Sequence, residues 1–276
     1  YWLLRFGARD WWWRNPKRGY GLTTFSFGIS VPFIILLEVL IAAVILLMLA
    51  IGVSGNPRFL EWLSSIRNNP SWLQADPTRL FGEVEAFISL PSILGWLLVV
   101  IAGIMPLVEE LFKTLGVWVI QPRRPSPAES FTAGLISGGG FALIEGLLSV
   151  NSIQVGLIQF ADWVGLIVGR FGGSLLHILT GGIIGLAIGN FWQTRKIGSL
   201  LFAYLASWIL HAAWNTLAVF GGINPLIQSS YEQPIWPYIG MAILFIGMVY
   251  IYHRLIKKTH SSDVITTFPL VRKVSL

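Results

Sequence analysis

Long apolar runs separated by short polar segments dominate the sequence. Six of these runs are long enough for a membrane-spanning helix, which needs about 20 predominantly apolar residues. They lie at 27–52, within 91–120, and at 129–150, 171–192, 198–220 and 235–256. Because the runs are continuous and do not alternate with polar positions, the pattern predicts an all-α bundle of about six transmembrane helices and argues against a β-barrel.

The polar segments between the runs divide the basic residues unequally. Across six alternating crossings, fourteen Lys and Arg residues fall on one side of the membrane and four on the other. Because short cytoplasmic loops carry the excess of basic residues, we predict that both termini are cytoplasmic. The chain then consists of a cytoplasmic interfacial segment at 1–26, a membrane bundle at 27–256 and a cytoplasmic tail at 257–276.

Two stretches outside the runs are amphipathic. Residues 1–20 mix Trp with Arg and Lys, a combination typical of a segment that lies on anionic lipid. The outer loop at 53–90 contains FLEWLSSI and WLQADPTRLFGEVEAFI, which we expect to form short helices on the outer surface. These helices would form a lid or rim above a site, or would only connect the spans while resting on lipid.

Composition agrees with a membrane protein. Hydrophobic residues make up 54% of the 276 residues and charged residues 12%, against about 25% charged residues in an average soluble domain. The net charge of +6 is explained by the cytoplasmic loops, so we do not expect a nucleic-acid partner. The absence of cysteine excludes disulfides and thiolate metal ligands. The chain begins at Tyr1, and we expect no signal peptide in it.

Four ionisable residues lie inside four different runs at a similar depth. They are Glu109, Glu145, His177 and His211. Each is 14 to 18 residues from the predicted cytoplasmic edge, or roughly 21–27 Å at the helical rise of about 1.5 Å per residue. Since ionisable residues inside a membrane rarely face lipid, we expect the four to converge in the outer half of the bundle. They would form a chemical site, or would be hydrogen-bonding groups that hold the helices together.

Neighbouring polar residues extend this cluster. Glu109 and Glu110 differ by about 100° around a helix, so one can face a cavity while the other pairs with Lys113, which is within reach of both. Asn215 is four residues after His211 and shares its helix face. It would orient the imidazole, donate a hydrogen bond to an oxyanion, or form an ordinary interhelical hydrogen bond.

Glycines recur at every fourth position after His177, at Gly181, Gly185 and Gly189. Small residues at this spacing allow close contact between transmembrane helices. The stripe therefore predicts that His177 lies on an inward, packed face of its helix, and packing alone explains these glycines.

Four short motifs in the runs resemble those of a known family. EELFK (109–113) resembles the E-E-x-x-K motif of the PrsW-type intramembrane proteases, and FALIE (141–145), which begins at Phe141, resembles their F-x-x-x-E motif. HILTG (177–181) and HAAWN (211–215) resemble their two histidine motifs, and the order of the motifs also agrees. The resemblance covers about 105–220.

Two residues distinguish the motifs of this family from those of its relatives. They are Lys113 in the first motif and Glu145 in the second. The related CAAX-prenyl-protease-like membrane proteins have arginine in the first motif and histidine in the second. The resemblance implies an intramembrane endopeptidase of the cell membrane that cuts single-pass membrane proteins near the outer face of the bilayer. Family members are linked to site-1 cleavage of membrane-anchored anti-sigma factors. Its partners would be such a substrate and lipid.

Two mechanisms fit these residues. In the first, Glu109, or alternatively Glu110, is the general base that activates water. His177 and His211, with Asn215, would then stabilise the oxyanion or deliver the proton.

The second mechanism uses a metal. Two histidines and a carboxylate with an open position are a known zinc arrangement, although no HExxH motif is present. The candidate ligands are Glu109, Glu145, His177 and His211. In the metal-free mechanism Glu145 would instead hold an imidazole or share the water.

Two other functions remain open at this point. A non-catalytic scaffold would use the polar cluster only to hold helices together, since the same superfamily includes a γ-secretase subunit that is not itself the protease. A proton-coupled transporter would use Glu and His to relay protons, but the sequence shows no inverted repeat. Glu38 lies within the first run and belongs to no motif. It would line a substrate groove or pair with an unidentified polar group.

Overall fold

The computed structural model describes residues 16–53, 57–68, 95–96, 98–120, 125–151, 160–227 and 235–267. Within these ranges the chain is helical and contains no strand, which confirms the predicted all-α class. The helices are α1 (Pro16–Phe25), α2 (Val31–Val53), α3 (Pro57–Asn68), α4 (Met105–Phe112), α5 (Leu115–Ile120), α6 (Pro127–Asn151), α7 (Phe160–Thr194), α8 (Ile197–Ile227) and α9 (Trp236–Thr267). Two π-helical segments, Ser26–Ser30 and Val99–Ile104, lead into α2 and α4.

Five helical stretches in the described part of the chain are long and apolar enough to cross a membrane. They are Pro16–Ile45, Pro127–Leu148, Ile167–Thr194, Ile197–Gly221 and Trp236–Thr259. The protein is therefore a multi-pass integral membrane protein. The second predicted span, within 91–120, is different, because its described part consists of a π-helical segment, α4 and α5 with a turn between the two α-helices. This segment also carries three charged residues within five positions.

The observed helices are longer than the apolar runs that predicted them. The first helical stretch begins at Pro16 instead of residue 27, and α7 and α9 contain 35 and 32 residues. Hydropathy marks only the part of a helix that lies in hydrocarbon, whereas helical hydrogen bonding continues through polar residues beyond it.

The predicted surface helices are only partly covered by the described residues. FLEWLSSI lies within α3, as expected. The second predicted outer helix, the first fifteen residues of the interfacial segment and the end of the cytoplasmic tail lie outside the described ranges.

Helices α6 and α7 pack backbone to backbone through glycines. A methyl group added at Gly181 would lie 2.5 Å from the carbonyl oxygen of Gly134, and one added at Gly185 would lie 2.5 Å from that of Ser130. Side chains larger than hydrogen are therefore sterically excluded along this line, which is the small-residue contact expected between membrane helices. The predicted packing role of the glycine stripe is confirmed.

The other helices surround this pair. Leu175 and Leu179 of α7 share one apolar core with Phe131 of α6, Trp214 of α8 and Met248 of α9. A second core lies nearer α1, α5 and the start of α8. The outer helix faces carry large exposed apolar side chains, as expected for surfaces in contact with lipid.

Replacing Gly181 by alanine is expected to lower the free energy of unfolding by about 1–3 kcal/mol, the usual cost of overpacking. The matched control is Gly247→Ala, because nothing lies within 4 Å of an added methyl group at Gly247 and alanine favours helix by up to about 1 kcal/mol. Thermal unfolding of the two variants in detergent micelles would measure the difference. Equal midpoints would show that the α6–α7 contact is not tight.

Candidate active site

The first motif directs its two carboxylates to different sets of partners. Glu110 is fully buried, and its Oε1 atom accepts a hydrogen bond from Nζ of Lys113 at 2.5 Å. The same Nζ donates to Oγ1 of Thr180 on α7. As predicted, one carboxylate pairs with Lys113, and this leaves the other, Glu109, to face different partners.

The turn at Lys113 is held by side chains of other helices. The hydroxyl of Ser137 donates to the Lys113 carbonyl, and the carbonyl of Ser137 accepts from the hydroxyl of Ser26. On the other side, Thr114 and Tyr204 hydrogen-bond through their hydroxyls. These contacts satisfy polar groups at a helix interruption inside the bundle. Backbone groups at membrane depth need such partners, because hydrocarbon offers no hydrogen bonds.

The carboxylate of Glu109 faces both motif histidines. Its Oε2 atom is 4.0 Å from Nδ1 of His177 and 3.7 Å from Nε2 of His211. The two imidazole rings meet edge to face with centroids 4.8 Å apart. Side chains from α4, α7 and α8 therefore converge at one point, as the count of depth predicted.

The second nitrogen of each imidazole contacts a different carboxylate. Nε2 of His177 is 2.8 Å from Glu145 of α6, and Nδ1 of His211 is 2.9 Å from Glu110. The fourth member of the predicted cluster, Glu145, is thus brought to the same site. These contacts fix the orientation of both rings and direct their remaining nitrogens towards Glu109.

The three converging atoms form an arrangement that suits a metal ion. Oε2 of Glu109, Nδ1 of His177 and Nε2 of His211 belong to a group whose ligand atoms all lie within 4.8 Å of one another. Oε2 of Glu109 and Nδ1 of His177 are buried and have no hydrogen-bond partner. Metal-binding histidines usually donate a hydrogen bond from their other ring N–H to a carboxylate or carbonyl, and both histidines have a carboxylate at that nitrogen. The donor set therefore fits a divalent cation.

Glu145 occupies a different place from the one in the four-ligand hypothesis. It lies behind His177, on the nitrogen that points away from Glu109, and the group with metal-ligand geometry in the described residues does not include it. Its carboxylate also contacts Arg170, with distances of 3.0 Å to Nη1 and 2.7 Å to Nη2. The geometry gives Glu145 an orienting position.

Arg170 is a site residue that the sequence analysis missed. It comes directly before the apolar run at 171–192, so hydropathy places it outside the membrane, but in the structure it lies in α7, seven residues before His177. Seven residues are about two helical turns, so both side chains project from the same face and reach the carboxylate of Glu145. The spacing within the helix was the available signal, and the misplaced start of the fourth span concealed it.

Asn215 and Phe141 take supporting positions. The amide of Asn215 donates to the carbonyl of Ile101 in the π-helical segment at 3.1 Å, which is the interhelical hydrogen bond among the three predicted alternatives. Trp208 of α8 donates in the same way to Gly103. These two bonds tie α8 to the segment that leads into Glu109. The ring of Phe141 packs on the His177 imidazole with centroids 4.8 Å apart.

Glu38 of α2 also reaches the site. Its carboxyl group is within hydrogen-bonding reach of Glu109, and the two form a hydrogen bond when one of them is protonated. The sequence does not identify this partner, because a position within an apolar run does not indicate which helix lies opposite. The first membrane helix therefore contributes a carboxyl group beside the three-residue centre.

Comparison with known families agrees with this geometry. The model of the PrsW family intramembrane metalloproteases matches residues 25–251. The chain belongs to this family. No curated protein and no solved structure matches it.

Membership of the PrsW family makes the chain a peptidase of intramembrane proteolysis. The family match extends well beyond the four motifs and includes α2, which carries Glu38. It therefore covers every element that supplies a side chain to the site described above.

Lys113→Met is expected to lower the free energy of unfolding by about 3–5 kcal/mol, because removing one partner of a buried ion pair leaves the other uncompensated. The double variant Glu110→Gln with Lys113→Met removes both charges and is expected to recover part of that loss. Thermal unfolding in detergent micelles measures both. A double variant no more stable than the single variant would show that charge pairing is not what the lysine supplies.

Proposed function

We propose that this PrsW-family protein is an endopeptidase that cuts single-pass membrane proteins near the outer face of the bilayer, as in site-1 cleavage of membrane-anchored anti-sigma factors. The observation that carries the proposal is the convergence of Glu109, His177 and His211 with both imidazoles fixed by carboxylates. Cleavage of a peptide bond needs activated water and a stabiliser for the oxyanion, and this centre contains groups suited to both.

The side of cleavage is inferred from depth. The basic residues predict cytoplasmic termini, and His177 is 17 residues before the end of α7 at Thr194. At about 1.5 Å per residue this is roughly 26 Å, close to the outer edge of a core about 30 Å thick. A substrate would therefore be cut where its membrane segment meets the outer surface.

We further propose that Glu109, His177 and His211 hold a divalent metal ion, with zinc as the chemical class that this donor set favours. When bound there, such an ion would supply Lewis-acid chemistry, the activation of water and the polarisation of a carbonyl group. The proposal is supported by the unpartnered, buried donor atoms of Glu109 and His177 and by the metalloprotease description of the family.

Two pairs of charged residues act by orienting the two histidines. Arg170 holds Glu145, which fixes His177, while Lys113 holds Glu110, which fixes His211. Each imidazole is thus oriented by a carboxylate whose charge is balanced by a cation. This arrangement keeps the nitrogens that face Glu109 available as acceptors or ligands.

Glu38 is proposed to transfer a proton from the attacking water to the leaving amine. Its contact with Glu109 places a further carboxyl group at the edge of the centre. Glu110 and Glu145 are engaged by basic side chains, whereas Glu38 lies on the side of Glu109 that faces α2. In its ionised form it is therefore placed to take up the proton that water loses, and once protonated it can pass that proton on to the leaving amine.

Glu109→Gln is expected to reduce substrate cleavage by more than about 100-fold, because loss of a residue in direct contact exceeds the 10- to 100-fold effect of outer-shell residues. Cells carrying wild type or variant at equal abundance would be compared for new N-termini of membrane proteins.

The matched control is Glu61→Gln, since Glu61 is exposed and lies on α3, which supplies none of the side chains described above. New termini on single-pass proteins that require Glu109 but not Glu61 would name the substrates. Identical profiles for all three proteins under several stresses would instead favour a scaffold.

Purified, active protein is expected to contain about one divalent metal ion per chain. The content should fall in His177→Ala and His211→Ala while remaining unchanged in Glu61→Gln. Elemental analysis of the folded proteins after dialysis measures this directly. Full activity in protein without metal would exclude the metal mechanism and leave Glu109 as a general base acting on water.

A further inference from the structure

A cavity of about 220 Å³ lies beside His177, between α7, α8 and α9. Its polar wall contains Glu145, Arg170, His177 and Asn215, and its remaining lining residues are Gly169, Gly173, Trp214, Ala218 and Met241. His177 belongs both to this wall and to the three-residue centre, so the cavity approaches the centre from the side of the imidazole that contacts Glu145.

Two further glycines of α7 precede His177 and line the cavity, and their surroundings differ from those of Gly181. Gly169 and Gly173 lie eight and four residues before His177. Because each step of four residues turns about 40° further around the helix, they are about 120° and 80° away from Gly181 and present a different face of α7. A methyl group added at Gly181 would overlap the backbone of α6. By contrast, one added at Gly169 would meet nothing within 4 Å, and one at Gly173 would find its nearest neighbour, Nη2 of Arg170, at 3.6 Å.

Close helix packing therefore does not explain Gly169 and Gly173. Glycine inside a helix is less favourable than alanine by about 1 kcal/mol, so a glycine with room for a methyl group lowers stability without a packing gain. What Gly169 and Gly173 provide is the space itself. Any larger side chain at either position would project into the cavity.

The rest of the lining is largely apolar. The indole of Trp214 packs on Gly172, where an added methyl group would overlap the ring, and Trp214 is only 7% exposed. This contact fixes the indole as a rigid wall. Met241 faces it from α9, and methionine side chains adapt readily to the shape of an apolar partner.

We infer that this cavity is a specificity subsite that takes one bulky apolar side chain of the substrate, of the size of Leu, Met or Phe, next to the bond that is cut. The inference rests on the proposed function. A cavity of about 150 Å³ accommodates benzene, so this larger cavity has room for such a side chain. Its occupant would leave the adjoining peptide bond beside His177.

Single cysteines test the subsite, since the chain has none. Gly169→Cys places a thiol in the cavity. Gly247→Cys is the matched control in α9, where an added methyl group also meets nothing within 4 Å. Each variant would be reconstituted in phosphatidylethanolamine and phosphatidylglycerol vesicles with transmembrane peptides that carry one cysteine at successive positions. Oxidative cross-linking and peptide cleavage would be measured separately.

Cross-linking of Gly169→Cys is expected to concentrate at one peptide position beside the cut bond, whereas Gly247→Cys should show no such focus. Modification of Gly169→Cys with benzyl methanethiosulfonate should reduce cleavage of peptides with Leu, Met or Phe at that position by about tenfold or more. Peptides with Gly or Ala there should be affected less, and the modified Gly247→Cys control should cleave all of them normally.

Two outcomes would overturn the inference. Cleavage by the unmodified protein with dispersed cross-links would show that the substrate does not use the cavity. Cleavage that benzyl modification of Gly169→Cys leaves unchanged would show that the cavity holds something else, such as a lipid chain. Focused cross-links without cleavage of any peptide would instead support the subsite and count against the proposed proteolysis.

Discussion

The site depends on the buried ion pair between Glu110 and Lys113. An uncompensated charge inside a membrane is costly, and the salt bridge and the hydrogen bond from Lys113 to Thr180 offset that cost on α4. Because Glu110 is also the partner of His211, the pair links three helices and orients one imidazole. It also separates the two adjacent glutamates by function, since Glu109 is left to face the histidines. The doubled acidic residue of the first motif therefore supplies one group that orients His211 and one group, Glu109, that faces both histidines.

The backbone contact between α6 and α7 supplies the second constraint. Gly134 and Gly138 of α6 pack against the segment from His177 to Gly181, so the two helices have little freedom to slide or separate. Glu145 lies about two turns beyond Gly138 on α6 and is thereby brought to Nε2 of His177. Arg170 completes this side by holding the Glu145 carboxylate. Each imidazole is fixed from behind, which preorganises the side that faces Glu109.

Sequence predicted the helical class, most spans and the convergence of Glu109, Glu145, His177 and His211, because apolar run length and residue count determine depth in a membrane. Depth does not determine the rotation of a helix or the direction of a side chain. That is why Glu145 was grouped with the ligands although it lies behind His177, and why the partner of Glu38 was not identified. Arg170 was missed because hydropathy placed the start of α7 too late. The interruption at Lys113 depends on contacts with Ser137 and Tyr204 from distant parts of the chain.

The two halves of the α7 glycine stripe satisfy opposite requirements of an enzyme inside a membrane. On the C-terminal side of His177, the glycines bring the backbones of α6 and α7 together, which fixes the position of the histidine. On the N-terminal side of His177, Gly169 and Gly173 leave space where a packed bundle would have side chains. A peptide bond can be cut only if it reaches a rigid centre, and a centre closed on all sides by helices would be rigid but unreachable. The same residue type meets both needs, because the stripe turns by about 40° with each step of four residues and has different surroundings at its two ends. His177 marks the boundary between the two halves, so one helix sets both the position of the imidazole and the space beside it.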